Sequence, residues 1–404
     1  MLRCGLIGEK LGHSYSPRIH RLLADYEYRL YELAPDELAG FIRSGEWDGL
    51  NVTIPYKKAA LPLCDELSPA AARTGSVNAL VRRGGKIYGD NTDVFGFEHM
   101  LRENGVEPAG KKTLILGNGG VCPSVRDVLR RAGANPVVIS RRGKDNYGNL
   151  DRHRDAALIV NATPVGMYPN NGQSPVDLTL FPDCAAVLDL IYNPARTALL
   201  LQAQALGMRC GNGLHMLVAQ AKLGCELFTG VPVPDRRIGE IEAELAREML
   251  NIVLVGMPGC GKTTVARLLG QKSGREVIDI DETIARRAGM SIPEIFARFG
   301  ETEFRRLETQ ALADAGKRSG CVIATGGGCV SVPANLPLLR QNSTVVWLRR
   351  RLSSLPVSGR PLSQSGSLEE MYRRRAPLYE KFSDFSVSNG ASPEEAAESI
   401  LRLL

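Results

Sequence analysis

The chain has 404 residues, more than the roughly 250–300 that a single hydrophobic core ordinarily serves, so two or three domains are expected. With 44% hydrophobic and 23% charged residues the composition is that of a globular protein, which excludes collagen-like, disordered and disulfide-scaffold classes. The net charge of +6 divides unevenly: residues 1–245 carry 28 Lys and Arg against 27 Asp and Glu, and residues 246–404 carry 22 against 17, too small a surplus for a nucleic-acid surface and well matched to small anions.

The first residues, MLRCGLIGEKLGHS, pass from a short strand into a glycine turn without the long apolar stretch of a signal peptide. No apolar run approaches the ~18–20 residues of a membrane span, so a cytoplasmic protein that touches neither membrane nor nucleic acid is expected. The nine cysteines are scattered and form no C-x-x-C pair, which favours free thiols in a reducing compartment over zinc sites or disulfides. Along the whole length, short β-rich apolar runs alternate with helical patterns, the signature of parallel α/β architecture. Residues 114–116, 137–139, 157–160, 252–255 and 322–324 are predicted strands, the first four followed directly by Gly, Ser, Asn and Gly.

Chemistry-bearing residues begin early. Gly12-His13-Ser14-Tyr15-Ser16-Pro17 offers two hydroxyls, Asn51-Val-Thr53-Ile-Pro-Tyr-Lys57 a lysine near a threonine, and Gly89-Asp90-Asn91-Thr92-Asp93 carboxylates in a turn. A lysine paired with an aspartate can pass a proton to or from an oxygen while a nicotinamide moves hydride. Taken singly, these segments are equally an ST-turn, a surface lysine and an Asx-turn. The strand at 114–116 then enters the turn Gly117-Asn118-Gly119-Gly120-Val121 and a helix, with Pro123 placed for a first helical turn. The following strand ends at Ser140-Arg141-Arg142, about 20 residues on, where an acid would favour NAD and adjacent arginines suit the 2′-phosphate of NADP.

With Gly75-Ser-Val-Asn78, Asn161-Ala-Thr-Pro-Val-Gly-Met167, Asp189-Leu-Ile-Tyr192-Asn-Pro and Gly213-Leu-His-Met216-Leu-Val-Ala-Gln220-Ala, these motifs resemble shikimate dehydrogenase across roughly residues 1–250. The resemblance implies that Ser14, Ser16, Thr53, Asn78, Tyr192 and Gln220 hold substrate and that Lys57 and Asp93 do the proton work. It also implies that Gly117 to Val121 and Ser140 to Arg142 hold NADP(H), with Leu190 and Gly213 lining the nicotinamide end. Val-Cys-Pro after the glycines, and Ser140-Arg-Arg in place of Asn-Arg-Thr, depart from the family pattern. His13 and His20 are expected to be packed or turn-stabilising residues.

Residues 235–250 have the near-helical spacing of Ile238, Ile241, Leu245 and Leu250, and a strand follows with no Gly/Ser- or Pro-rich linker between. Gly256-Met-Pro-Gly259-Cys260-Gly261-Lys262-Thr263 fits G-x-x-x-x-G-K-[ST] between that strand and a helical run. Its glycines let backbone N–H groups converge on phosphates, Lys262 adds a point charge, and Thr263 offers a hydroxyl to Mg²⁺. In Val277-Ile-Asp279-Ile-Asp281 two carboxylates lie at i and i+2 of an expected strand end and so share one face. One suits the Mg²⁺ shell and the other a proton-accepting role, or one of them caps the helix at 282–288.

Residues 251–404 resemble shikimate kinase through this loop, the two aspartates, Gly300-Glu-Thr-Glu-Phe-Arg-Arg-Leu-Glu308, Ala324-Thr-Gly326-Gly327-Gly328, Gly359-Arg360-Pro361-Leu362 and Arg375-Ala-Pro-Leu-Tyr379. The resemblance implies that Asp281 is the base, that Thr263 and Asp279 support Mg²⁺, and that Gly259, Cys260, Gly261, Lys262 and Thr264 cradle the phosphates of ATP. By the same resemblance Arg305 and Arg375 clamp a carboxylate, Gly327 approaches the substrate ring and Arg360 meets the transferring phosphate from a lid. The stretch from Trp347 to Arg360 is short for this family. The expected whole is an α/β protein: a two-lobed dehydrogenase with a Rossmann-like NADP lobe, fused to a P-loop kinase with a parallel sheet. Its expected divisions are residues 1–104 (completed by about 213–250), 105–212 and 251–404. The function these resemblances imply is NADPH-dependent reduction of 3-dehydroshikimate followed by ATP- and Mg²⁺-dependent phosphorylation of shikimate, in aromatic amino acid biosynthesis. Two other readings stay open at this point, a quinate-type dehydrogenase fused to another small-metabolite kinase and a non-catalytic metabolite sensor.

Overall fold

A computed structural model describes residues 1–12, 14–355 and 368–404, so His13 and the whole 359–362 motif with Arg360 lie outside the described residues. The chain forms two compact units, one of Met1–Gly166, Gln173–Tyr192 and Leu199–Glu244, the other of Leu245–Leu404 with the short segments Met167–Gly172 and Asn193–Ala198.

The first unit has two lobes. In one, β1 (Arg3–Gly8), β2 (Glu27–Glu32), β3 (Gly49–Val52), β4 (Glu66–Leu67), β5 (Ala79–Arg83) and β6 (Lys86–Asp90) form a mixed sheet in the order β2-β1-β3-β5-β6-β4. Strands β1, β2 and β3 run parallel, and β5 is antiparallel to both β3 and β6. One face packs on Ile7, Ile42, Trp47, Leu50 and Leu80, all fully buried. The other face meets an aromatic cluster in which His20 stacks on Tyr28 at 4.1 Å and lies 5.9 Å from Phe228.

Burial lowers the pKa of His20 from 6.5 to about 3. Between those values the unfolded chain binds a proton that the folded chain refuses, so stability rises with pH and is lost as pH falls from about 6.5 toward 3. We expect denaturant midpoints read by the fluorescence of buried Trp47 to fall across this interval, and less steeply in His20→Gln; equal slopes would contradict a buried neutral histidine.

The second lobe is a parallel sheet of β7 (Lys112–Leu116), β8 (Asn135–Ile139), β9 (Leu158–Asn161), β10 (Ala186–Asp189) and β11 (Arg209–Gly211), ordered β11-β10-β9-β7-β8. Its strands read as continuous apolar runs because both faces are covered. Leu114, Leu116 and Ile159 point to one core, and Ile115, Leu158 and Val160 to the other. The chain leaves β7 between neighbours that lie on opposite sides, the switch point at which doubly wound sheets bind ligands.

Helix Arg236–Met249, with Ile238, Ile241 and Leu245 buried, realises the predicted helical run and leads directly into the second unit. There β12 (Asn251–Val255), β13 (Val277–Asp279), β14 (Val322–Ala324), β15 (Ser343–Arg349) and β16 (Phe385–Ser388) form a parallel sheet in the order β13-β14-β12-β15-β16. The glycine loop follows β12 at the centre, again at a switch point. Among the described residues no helix is long and apolar enough to cross a membrane.

Candidate active sites

In the first unit, Lys57 Nζ lies 2.5 Å from Asp93 Oδ2, and both side chains are largely buried. Asp93 is the first residue of helix Asp93–Glu103 rather than part of a turn, so its carboxylate sits where unsatisfied helix N–H groups favour negative charge. Asn78 fixes its other oxygen, donating from Nδ2 to Asp93 Oδ1 at 2.9 Å and accepting from Thr92 N at 2.6 Å through Oδ1. Gln220 reaches the same group from helix Leu214–Thr229, its Oε1 accepting from Thr92 Oγ1 at 3.3 Å and facing Asn78 Nδ2 at 3.5 Å. That reach depends on Gly96, which belongs to none of the motifs. A Cβ there would stand 2.7 Å from Met216 O and 3.1 Å from Gln220 Cβ, so a larger residue would separate the two helices.

The glycine turn approaches this pair. A Cβ on Gly120 would stand 4.0 Å from Lys57 Cδ, which places the turn over the lysine and brings the two lobes to one site. Gly117 needs both its left-handed φ of 99° and its missing side chain, since a Cβ would meet Thr163 Cγ2 at 2.7 Å. Asn118 and Gly119 form the turn, Val121 is the N-cap of helix Cys122–Arg131, and Pro123 sits in its first turn, where its absent N–H costs nothing. Ser140 at the end of β8 donates to Arg142 O at 2.8 Å, and Arg141 and Arg142 are exposed beyond it, free to meet a phosphate. Gly213 packs against Leu190 so closely that a Cβ would lie 2.1 Å from Leu190 O.

Ser14 Oγ accepts from Ser16 N at 3.2 Å, and Thr53 follows β3 with its N–H bonded to Ile7 O at 3.0 Å. Tyr192 meets Tyr15 edge to face, with centroids 6.0 Å apart, and burial raises the pKa of its phenol, with Tyr15 adding to the rise. The Asn161 and Asp189 motifs brace loops: fully buried Asn161 donates to Asp189 Oδ1 at 2.9 Å and accepts from Thr163 Oγ1 at 2.7 Å.

In the second unit a cleft of about 530 Å³ gathers almost the whole predicted set: Gly259, Gly261, Lys262, Thr263, Thr264, Asp279, Asp281, Arg305, Gly327 and Arg375, with Glu308 and Arg350 beside them. Cys260 instead buries its side chain in the core, leaving only its backbone to the loop. Gly256, Gly259 and Gly261 all have positive φ, at 149°, 81° and 98°. Lys262 Nζ folds back onto Gly256 O at 2.8 Å and Met257 O at 3.1 Å. Asn389 braces the loop by donating to Cys260 O at 2.8 Å, a role for which the sequence carries no motif signal.

The two aspartates do not share a strand face as their i, i+2 spacing predicts. Only Asp279 ends a strand; Asp281 lies in the first turn of helix Ile280–Ala288, so helix geometry rather than strand alternation brings both to the cleft. Asp279 caps that helix by accepting from Glu282 N at 3.2 Å through one oxygen, and accepts from Thr263 Oγ1 at 2.7 Å through the other. One carboxylate thus both caps the helix and holds the Thr263 hydroxyl. These hard oxygens suit Mg²⁺.

The three consecutive glycines after β14 each serve a different neighbour. A Cβ on Gly326 would stand 2.4 Å from Glu308 Oε1 and 3.0 Å from Asp281 Oδ1, one on Gly327 2.6 Å from Pro258 Cδ, and one on Gly328 2.1 Å from Arg305 Nη2. Glu308 was not among the predicted site residues. It is fully buried and accepts from Arg305 Nη1 at 2.7 Å; burial raises its pKa against the pull of Arg305, and nearby Asp281 adds to the rise. Arg375, 5% exposed, donates from Nη1 to Gly327 O at 3.3 Å, and the Tyr379 hydroxyl donates to the same carbonyl. The result is a phosphate loop, a carboxylate available as base and two arginine forks facing one volume, an arrangement for phosphoryl transfer to an anionic acceptor.

Fold and sites together define an α/β protein with a Rossmann-like dinucleotide lobe in a two-lobed oxidoreductase unit, joined to a P-loop phosphotransferase unit. Comparison with known proteins narrows this. A family model for the shikimate dehydrogenase substrate-binding domain matches residues 6–80, and one for shikimate kinase matches residues 258–404. NADP(+)-type shikimate dehydrogenases of Methanopyrus kandleri and Oleidesulfovibrio alaskensis are 39% and 41% identical over 264 and 254 residues, in each case 57% of this chain and 91% and 90% of the relative. The crystal structure of Thermus thermophilus shikimate 5-dehydrogenase in complex with NADP(H) and shikimate is 32% identical, with a TM-score of 0.56 over 60% of this chain and 99% of that one. The chain belongs to the shikimate dehydrogenase family and carries a shikimate kinase domain behind the dehydrogenase part.

Proposed function

We propose that this chain is a bifunctional enzyme of aromatic amino acid biosynthesis that reduces 3-dehydroshikimate to shikimate and then phosphorylates the shikimate 3-hydroxyl. The observation that carries this reading is the presence in one chain of two furnished sites: Lys57 and Asp93 under the Gly117–Gly120 turn, and the cleft where Asp281, Lys262 and both arginines converge. The product of the first reaction is the substrate of the second.

In the first site bound NADPH would supply the hydride for the substrate carbonyl carbon. Lys57, held by Asp93, donates a proton to the carbonyl oxygen as the hydroxyl forms, and Asp93 with Asn78 keeps the lysine aimed. Ser14, Ser16, Thr53, Tyr192 and Gln220 orient the ring, and Arg141 and Arg142 select the 2′-phosphate of NADP. In the second site bound ATP would supply the γ-phosphoryl group, and Thr263 and Asp279 would hold the Mg²⁺ that neutralises its charge. Asp281 takes the proton of the attacking hydroxyl. Lys262 and the loop N–H groups hold the phosphates, with Arg360 assigned to the transferring group. Arg305 and Arg375 bind the carboxylate. The divisions at about residues 104, 212 and 250 and a cytoplasmic location, suited to nine free thiols, belong to the same reading.

Incubation of the full chain with 3-dehydroshikimate, NADPH and ATP·Mg²⁺ tests it. Mass spectrometry is expected to detect shikimate 3-phosphate, with quinate in place of shikimate left unphosphorylated. Accumulation of shikimate alone, or of no product, would reject the proposal.

A further inference from the structure

The cleft of the second unit holds a cation that no motif includes. Arg350 lines it together with Lys262, Arg305 and Arg375, yet it differs from those three. Lys262 is engaged with Gly256 O and Met257 O, Arg305 with Glu301 and Glu308, and Arg375 with Gly327 O. Arg350 is exposed and has no hydrogen bond or ion pair among the described residues. A planar guanidinium fork left unpaired inside an anion-binding cleft is suited to two oxygens of a phosphate at once.

The backbone that carries Arg350 is tied to the phosphate loop. Strand β15 runs parallel to β12 with Trp347 opposite Val255, so the chain leaves β15 beside the start of the loop. The two touch there, since a Cβ on Gly256 would stand 2.4 Å from Leu348 O. Asn389 joins them again, its N–H donating to Arg349 O at 2.7 Å and its Nδ2 to Cys260 O at 2.8 Å. The residue before Arg350 and the middle of the loop thus share one brace. The sheet order β13-β14-β12-β15-β16 decides which ligand Arg350 meets. Asp281 follows β13 and Gly326 to Gly328 follow β14, on one side of β12, whereas Arg350 follows β15 on the other. It therefore approaches the loop from the side away from the acceptor groups, where the nucleotide rather than the acceptor has to extend.

We propose that Arg350 is a further nucleotide-binding residue of the kinase site, donating to the terminal phosphates of bound ATP or ADP from the β15 side of the loop. This rests on the functional reading above, which assigns the nucleotide to this cleft. Because Arg350 is exposed and holds no other residue, Arg350→Gln should fold like the parent, and an unchanged dehydrogenase rate checks that it does. Calorimetric titration of the full chain with ADP and Mg²⁺ is expected to show affinity about tenfold weaker in Arg350→Gln, equivalent to about 1.4 kcal/mol, and weaker still in Arg350→Glu. The Michaelis constant for ATP should rise by a similar factor, while that for shikimate and the affinity for AMP, which lacks the outer phosphates, stay as in the parent. Unchanged ADP affinity would make Arg350 a solvated surface charge and overturn the inference. An equal loss for AMP, a rise confined to the shikimate constant, or Arg350→Glu binding ADP as well as Arg350→Gln would each overturn it too. A parent chain that binds ADP without phosphorylating shikimate would overturn the functional reading and leave the inference standing; one that binds no ADP would overturn both.

Discussion

Lys57→Ala is expected to lower dehydrogenase turnover by about 10²–10⁴-fold, the range that a positioned general acid contributes. In the proposed reaction the carbonyl oxygen must gain a proton as it becomes a hydroxyl, and Lys57 Nζ, paired with Asp93, is the donor assigned to it. The pair is not a surface ion pair of negligible worth: its side chains are 14% and 8% exposed, and Asn78 holds the second carboxylate oxygen, so the lysine is restricted to one direction. Rates followed by NADPH absorbance should collapse while shikimate phosphorylation by the same preparation continues. Retention of a tenth or more of the dehydrogenase rate would assign the proton to another group. Loss of both activities would indicate damage to the fold.

The mirror-image result is expected for Asp281→Asn, with phosphorylation reduced by about 10²–10⁴-fold and the dehydrogenase intact. Asparagine keeps the shape and cannot take the hydroxyl proton. Its surroundings make the charge matter. Asp281 lies beside Gly326, whose missing side chain admits both it and the buried carboxyl of Glu308. Two carboxylates so near one another disfavour joint ionisation, and Arg305, bonded to Glu308 at 2.7 Å, offsets that repulsion. Coupled measurement of ADP release at saturating ATP and shikimate is the check. A rate within a few-fold of the parent would remove Asp281 from the base role and leave it as a binding group.

Lys57 and Asp281 both belong to short contiguous motifs, although Asp281 stands in a helix rather than at the strand end that its spacing suggests. A strand, a glycine turn and a helix N-terminus are contiguous in sequence, so the phosphate loop at Gly256–Thr263 and the turn at Gly117–Gly120 follow from short-range rules. The same locality accounts for the error at Asp279 and Asp281. Strand periodicity was extended by two residues past the point where Asp279 caps a helix, and a cap signal read alone does not exclude a continuing strand.

What was not legible is what long-range packing decides. Gly96 and Asn389 lie in no motif, and Glu308 and Tyr379, though inside motifs, show their roles only in the fold: Asn389 and Tyr379 act on carbonyls 129 and 52 residues away, and Glu308 brings Arg305 together with Asp281 and Gly326 from other elements. The α/β class, the two kinds of phosphate turn and most of the candidate site residues can be read from the chain alone, because periodicity and turn chemistry act over a few residues. How those groups are aimed is set by tertiary packing. The Asn78–Asp93–Lys57 alignment and the neighbours served by Gly326, Gly327 and Gly328 depend on distances between separate elements, which close packing sets to within a few tenths of an ångström.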